Sequence, residues 1–284
     1  MSSKQDILKK RATAVVDTLF SLLRIALFSR LKPSLPQREA ESDEIIILGN
    51  GPSFKSLIEE KREFWQGRSR LMVNFSACSE WCEVVKPQNY LVADPLFWES
   101  TDKCERLFGA LSSKCKWEMN LFMPVKAFKN RRWQEIIASN HNIKLHPHNT
   151  TPVEGLECFT KLAYNKGWGV PRPHNVLIPS IAIAIRMRYK KIYLAGAEHS
   201  WVNDVGISDD NRVVMNFKHF YDNGKPDAKE MAQYAEVPFY QFLYHQFIVF
   251  RAYFQLRDYA KSEECKVINI TPGSFIDAFE RLKI

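Results

Sequence analysis

Six cysteines, Cys78, Cys82, Cys104, Cys115, Cys158 and Cys265, contain no C-x-x-C pair and no zinc spacing with a histidine. The common structural zinc sites are thereby excluded, and no metal site is expected. Several of these cysteines fall in apolar runs, where cysteine behaves as a small buried hydrophobe, so a reducing compartment is expected rather than a disulfide framework. The chain also lacks the roughly 18 uninterrupted apolar residues that a membrane span needs. It shows no repeat, no collagen-like period and no low-complexity tract. The basic excess is not interleaved with aromatics along a groove, which argues against nucleic-acid binding.

What is present is an ordinary folded composition. The 284 residues are 45% hydrophobic and 25% charged, enough for one large α/β domain with a sizeable core. The net charge of +8 is uneven, because residues 1–40 alone hold about +5. In "KKRATAVVDTLFSLLRIALFSRLKP", Asp17 and Arg24 interrupt the apolar run and no A-x-A-like cleavage site follows, so it does not read as a secretory signal. Asp17, Ser21 and Arg24 instead form a narrow polar stripe on a mostly apolar helix, bracketed by Lys9 to Arg11 and by Arg30 to Lys32. Such a helix can lie in a bilayer interface through residues 9–32, or pack on its own domain or on a partner subunit. Pro33 and Pro36 begin a linker, so residues 1–40 are set apart from a main domain at 41–284.

From Glu44 onward short apolar runs alternate with helical spacing. Strands are predicted at 44–48, 70–74, 89–93, 117–123, 143–146, 191–195 and 266–270, and helices at 54–64, 97–110, 126–139 and 176–188. Continuously apolar strands alternating with helices predict a Rossmann-like, doubly wound, mostly parallel sheet. Ligands bind at the carboxyl ends of such strands. After the first strand stand Gly49, Asn50, Gly51, Pro52 and Ser53, whose glycines allow close backbone approach and whose following helix can face an anion. Phe54 replaces the third glycine of the dinucleotide fingerprint. Asn74, Asp94 and the run Gly196, Glu198, His199 follow later strands. Together they describe a polar rim suited to a ribose, a base edge or a phosphate.

"IIILGNGPSFKSL", "VADPLFWE" and "IAIAIRMRYKKIYLAGAEHSW" resemble the bacterial sialyltransferase family that includes the Campylobacter lipooligosaccharide enzymes. They are also similar to the wider group of flagellin-modifying motility accessory factors and archaeal pterin pyrophosphokinases. The resemblance covers about residues 44–284 in order, through short motifs. It implies that Gly49, Asn50, Gly51, Asn74 and Asp94 hold a CMP-sugar donor, which is a substrate and not a resident cofactor; Ser53, Gly196 and Glu198 at the strand ends, and Asn175 before the helix predicted at 176–188, complete the candidate nucleotide-binding set. Asp94 stands where that family has Asn, and Asn175-Val176-Leu177 stands where it has Thr-Ser-Gly. The implied reaction is an inverting transfer of a sialic or related ulosonic acid to a bacterial surface glycan, at the cytoplasmic face of the inner membrane.

A lid is expected at about 200–237, with His219 as general base and His199 as its competitor or as a cation facing the departing phosphate. Arg172, Lys218 and Lys225 are candidate helpers, and no D-x-D follows an apolar strand to hold the metal of a diphosphate donor. Two other readings stay open. One is a magnesium-dependent, ATP-using pyrophosphokinase of the pterin type with Asp94 and Glu198 as ligands; the other is a non-catalytic nucleotide- or glycan-binding subunit. An oligomer is compatible with all three.

Overall fold

The computed structural model describes residues 4–38, 42–203, 205–215 and 237–284. A helix, α1 (Lys4–Phe28), precedes the first strand, β1 (Glu44–Leu48). There follow α2 (Phe54–Glu60), α3 (Arg62–Gln66), β2 (Ser69–Val73), α4 (Trp81–Val85), β3 (Asn89–Leu91), α5 (Leu96–Glu99), α6 (Thr101–Lys114) and β4 (Met119–Pro124). The chain continues through α7 (Arg132–Ala138), β5 (Ile143–His148), α8 (Glu157–Lys166), α9 (Leu177–Arg186) and β6 (Lys191–Ala195). A hairpin of β7 (Val205–Ile207) and β8 (Val213–Met215), then α10 (Phe239–Ser262), β9 (Lys266–Asn269) and β10 (Glu280–Arg281), complete the described α-helices and strands.

Eight strands form one sheet in the order β10-β9-β6-β1-β2-β3-β4-β5, and every pairing is parallel. The expected Rossmann-like α/β architecture is therefore present. Its cause is visible in β1, whose Ile45 and Ile47 enter one core while Ile46 and Leu48 enter the other. A strand with helices on both faces has no solvent side, so it reads as unbroken apolar sequence. The first core is closed by α8, α9 and α10, and the second by α2 to α7. Residues Leu177 to Ile185 of α9 are buried all round, and Pro179 sits in the first turn, where its missing amide hydrogen leaves no bond unmade.

Several expected elements are finer-grained than their apolar spacing suggests. The helix predicted at 54–64 breaks at Lys61, and that at 97–110 breaks at Ser100, which takes extended angles and starts α6. The one predicted at 126–139 begins as a 3₁₀ turn over Val125–Lys129. The expected lid range opens with a 3₁₀ turn (Ser200–Asn203) and the β7–β8 hairpin, and residues 216–236 lie outside the described residues.

The N-terminal helix lies along the segment that follows β5. Gly155, at φ +128°, comes so close that a Cβ there would stand 2.2 Å from Thr18 Oγ1 and 2.7 Å from the Thr18 backbone nitrogen. Gly155→Ala is therefore expected to combine backbone strain with a clash against α1, lowering stability by about 1–3 kcal/mol. Urea unfolding measures that loss, and limited proteolysis should show faster cleavage within residues 4–28.

Candidate functional site

The strand order reverses at β1, with β2 to β5 on one side and β6, β9 and β10 on the other. Crevices at such switch points, outside the carboxyl ends of the strands, are where open parallel sheets bind ligands. Here the turns after β1 and β6 are laced together. Gly49 N donates to Ala195 O and Gly51 N to Gly196 O, each at 2.8 Å. A Cβ on Gly49 would stand 2.4 Å from Gly196 O, and one on Gly196, at φ +60°, would stand 2.5 Å from Gly49 O. These glycines serve the approach of one backbone to the other.

Glu198 takes the place in which an anion was expected. Its Oε1 accepts from Ser53 N at 2.7 Å, beside the start of α2. Its Oε2 is buried without a hydrogen-bond partner and lies over Gly51, 1.6 Å from where a Cβ would be. The expectation that this helix start meets a ligand phosphate is thus corrected: a carboxylate of the chain itself occupies it. With a second anion there, repulsion would be strong in a partly desolvated setting. Groups that donate hydrogen bonds fit the unpartnered oxygen instead.

The other strand ends join the same row. Ser76 Oγ donates to Asn50 Oδ1 at 2.5 Å, linking the turns after β1 and β2. Asn74 adopts φ +49°, and its Oδ1 accepts from Ala93 N at 3.3 Å, linking the turns after β2 and β3. The Tyr90 hydroxyl supports this bend by donating to Asn74 O and accepting from Ala77 N. Asp94 Oδ1 accepts from Leu96 N at 3.0 Å, so one of its oxygens caps its own turn. Asn50, Asn74 and Gly196 thus lie along one continuous edge, with Glu198 between the β1 and β6 turns.

Behind the edge is a second polar chain. His199, at φ +52° and only 6% exposed, shares a 2.6 Å hydrogen bond from Nε2 with Tyr253 Oη. That hydroxyl lies 3.4 Å from Asn175 Oδ1, which accepts from Leu177 N at 2.8 Å and so starts α9. The His199 ring is covered by Trp201, with centroids 4.2 Å apart. Burial lowers the His199 pKa to about 3, so the imidazole is neutral at cellular pH. The expected role of His199 as a cation facing a leaving phosphate therefore does not fit; a buried, hydrogen-bonded ring in a left-handed backbone conformation is a positioning element.

The β6 end is held from its far side by the loop after β9. Ala197 N donates to Thr271 Oγ1 at 3.2 Å, Ser274 Oγ donates to Ala197 O at 2.7 Å, and Phe275 N donates to Glu198 O at 2.8 Å. Ser274 follows β9 and is of the residue type that caps helices. No helix follows it among the described residues, and its hydroxyl staples two strand ends. Arg172 is committed to Glu154 at 2.7 Å, away from the row, and His245 faces His174 with ring centroids 5.6 Å apart. His219, Lys218 and Lys225 lie outside the described residues. Ser76, Tyr90 and Tyr253 were missed, because each acts through a partner distant in sequence or through a main-chain group that spacing does not reveal.

Among the described residues no three His, Cys, Asp or Glu side chains converge as a metal-binding group. Two surface clefts lie elsewhere, one of about 540 Å³ between α1 and α10, and one of about 340 Å³ beside the end of α10 and β9.

No protein-family model matches the chain, and no curated protein matches it. Among solved structures it is similar to one described as the structure of MAf glycosyltransferase from Magnetospirillum magneticum AMB-1, at 11% identity with a TM-score of 0.50. The match covers 94% of this chain and 38% of that one, so this chain spans well under half the neighbour's length. At that identity the likeness is one of fold alone, that of the parallel α/β sheet described above.

The state of His199 makes a pH prediction with a definite sign. Its pKa falls from 6.5 to about 3 on folding, so in acid the unfolded chain takes up a proton that the folded chain refuses. This contribution is complete above the unfolded value and drains as the pH falls toward the folded one. Between pH 7 and pH 5 about 2 kcal/mol should be lost through this residue. Burial lowers His148 to about 4, which adds a slope of the same sign. Urea unfolding of wild type and His199→Gln should show a flatter pH slope in the variant; equal slopes would contradict the buried neutral ring.

Proposed function

We propose that the chain is an inverting glycosyltransferase that moves an acidic sugar from CMP to a glycan acceptor. The observation that supports this most is the row of strand ends, in which Gly51, Ser53 and Glu198 adjoin Asn50, Ser76 and Asn74 at the sheet's switch point. That row offers amide and carboxylate groups suited to a nucleoside. Glu198 Oε2 can accept from ribose hydroxyls or from the cytosine amine, which are neutral donors.

A single phosphodiester suits this site better than a diphosphate, because only one anionic group must then be accommodated beside Glu198. In the reaction the acceptor hydroxyl oxygen attacks the anomeric carbon. The bond from that carbon to the phosphate oxygen breaks, and CMP leaves with its electron pair. The hydroxyl proton passes to a base, for which His219 is the candidate. The asparagines and Glu198 orient the donor, and His199 with Tyr253 holds the β6 end and the start of α9 in register.

Ligand-dependent thermal unfolding tests this reading. CMP at about 100 times its Kd should add about 2.7 kcal/mol, an upward shift on the order of 5 °C. Glu198→Gln should weaken CMP binding by about tenfold, as expected when one charge-assisted hydrogen bond is lost. His219→Ala should leave CMP binding intact while abolishing transfer from a CMP-sugar. Stabilisation by ATP with magnesium and none by CMP would replace this reading with the pyrophosphokinase.

A further inference from the structure

The N-terminal helix meets the body with its polar side. Ser21 Oγ donates to Glu154 O at 2.8 Å and accepts from Glu154 N at 2.9 Å, and Thr18 Oγ1 accepts from Leu156 N at 2.9 Å. Just past the helix, Arg30 N donates to Asn149 Oδ1 and Asn149 Nδ2 donates to Arg30 O, each at 2.8 Å. These bonds fasten α1 lengthwise along the domain. Of its residues with described side chains, only Ser21 and Ile25 are buried.

Apart from Ile25, which enters the core, the large apolar residues therefore face outward. Leu8, Leu19, Leu27, Phe28 and Leu31 each keep 60% or more of their surface exposed, and Phe20 and Leu23 keep 55%. Between Ala12 and Phe28 every exposed side chain is uncharged, a bare apolar flank roughly 25 Å long. Exposed cations bracket it, Lys9, Lys10 and Arg11 at one end and Arg30 and Lys32 at the other. Monomeric soluble proteins rarely leave so continuous an apolar surface uncovered. No described helix is long and apolar enough to cross a membrane.

We propose that α1 seats this protein on an anionic lipid surface, lying in the headgroup–acyl boundary with its apolar flank in the lipid and its polar stripe on the protein. Charge complementarity selects the occupant. A second copy of the helix, laid parallel or antiparallel, sets cations against cations at both ends, because both ends are basic. Anionic headgroups meet both clusters with attraction, while the acyl region takes the leucines and phenylalanines between them. The bonds along Thr18, Ser21 and Arg30 hold the helix axis parallel to the domain surface, as an interfacial position requires and a spanning one forbids. This inference rests on α1 alone and is independent of the proposed reaction.

The test is flotation of the full chain with vesicles of phosphatidylcholine alone and of phosphatidylcholine mixed with phosphatidylglycerol. Capture by the mixed vesicles and little by the neutral ones is expected. Lys9→Gln and Lys10→Gln should each weaken capture by about fivefold. The double variant Leu19→Glu with Leu23→Glu should abolish it while leaving the unfolding temperature unchanged, since both side chains are exposed. The proposal is overturned if mixed vesicles do not capture the chain or if the double variant is captured as well as wild type. It is also overturned if light scattering without lipid finds a dimer that the double variant splits.

Discussion

The contact on which the rest depends is the crossing of two glycine backbones beyond β1 and β6. Parallel strands joined through long crossovers bring their carboxyl ends together only if the turns leaving them can pass at main-chain distance. Gly49 and Gly196 allow this, and the two amide–carbonyl bonds between the turns convert it into a fixed seam. Any side chain at either position would drive the turns apart by more than a bond length can absorb. Glu198 reaches Ser53 only because this seam is closed, and the asparagines of the neighbouring strands continue the row from there.

The chemistry of the edge follows from which groups are left with capacity. The main-chain amides of Gly49, Gly51 and Ser53 are spent on the β6 turn or on Glu198, so these three form no open anion cradle. Capacity remains on Glu198 Oε2. His199 is likewise committed, through Tyr253 and the aromatic cover of Trp201, to holding a left-handed bend.

Much of this was legible in the residues. The unbroken run Ile45 to Leu48 announced a strand covered on both faces, and the glycines after it announced a tight approach, because both signals are local. What approaches was not legible: nothing in the spacing of Gly49 and Gly196 says that each makes room for the other. The α8 helix was missed although Gly167, at φ +67°, closes it with bonds to Tyr164 O and Ala163 O from its own and the next amide, a pattern that Lys166-Gly167 signals. The polar stripe on α1 was read correctly as a stripe. Its direction was not, since amphipathicity shows that a helix has two sides but not which one the domain needs to satisfy the amides of Glu154 and Leu156.

The central place of β1 has a consequence for synthesis on the ribosome. One of its edges can pair as soon as β2 emerges, but the other waits for β6, whose Ile192 lies opposite Ile45. Until then a nascent polypeptide of up to about two thirds of the 284 residues must carry an open, largely apolar strand edge, the kind of surface that recruits chaperones or mispairs with a neighbouring nascent chain. Translation speed through residues 149–190, which separate the fifth strand from the sixth, would set how long that exposure lasts.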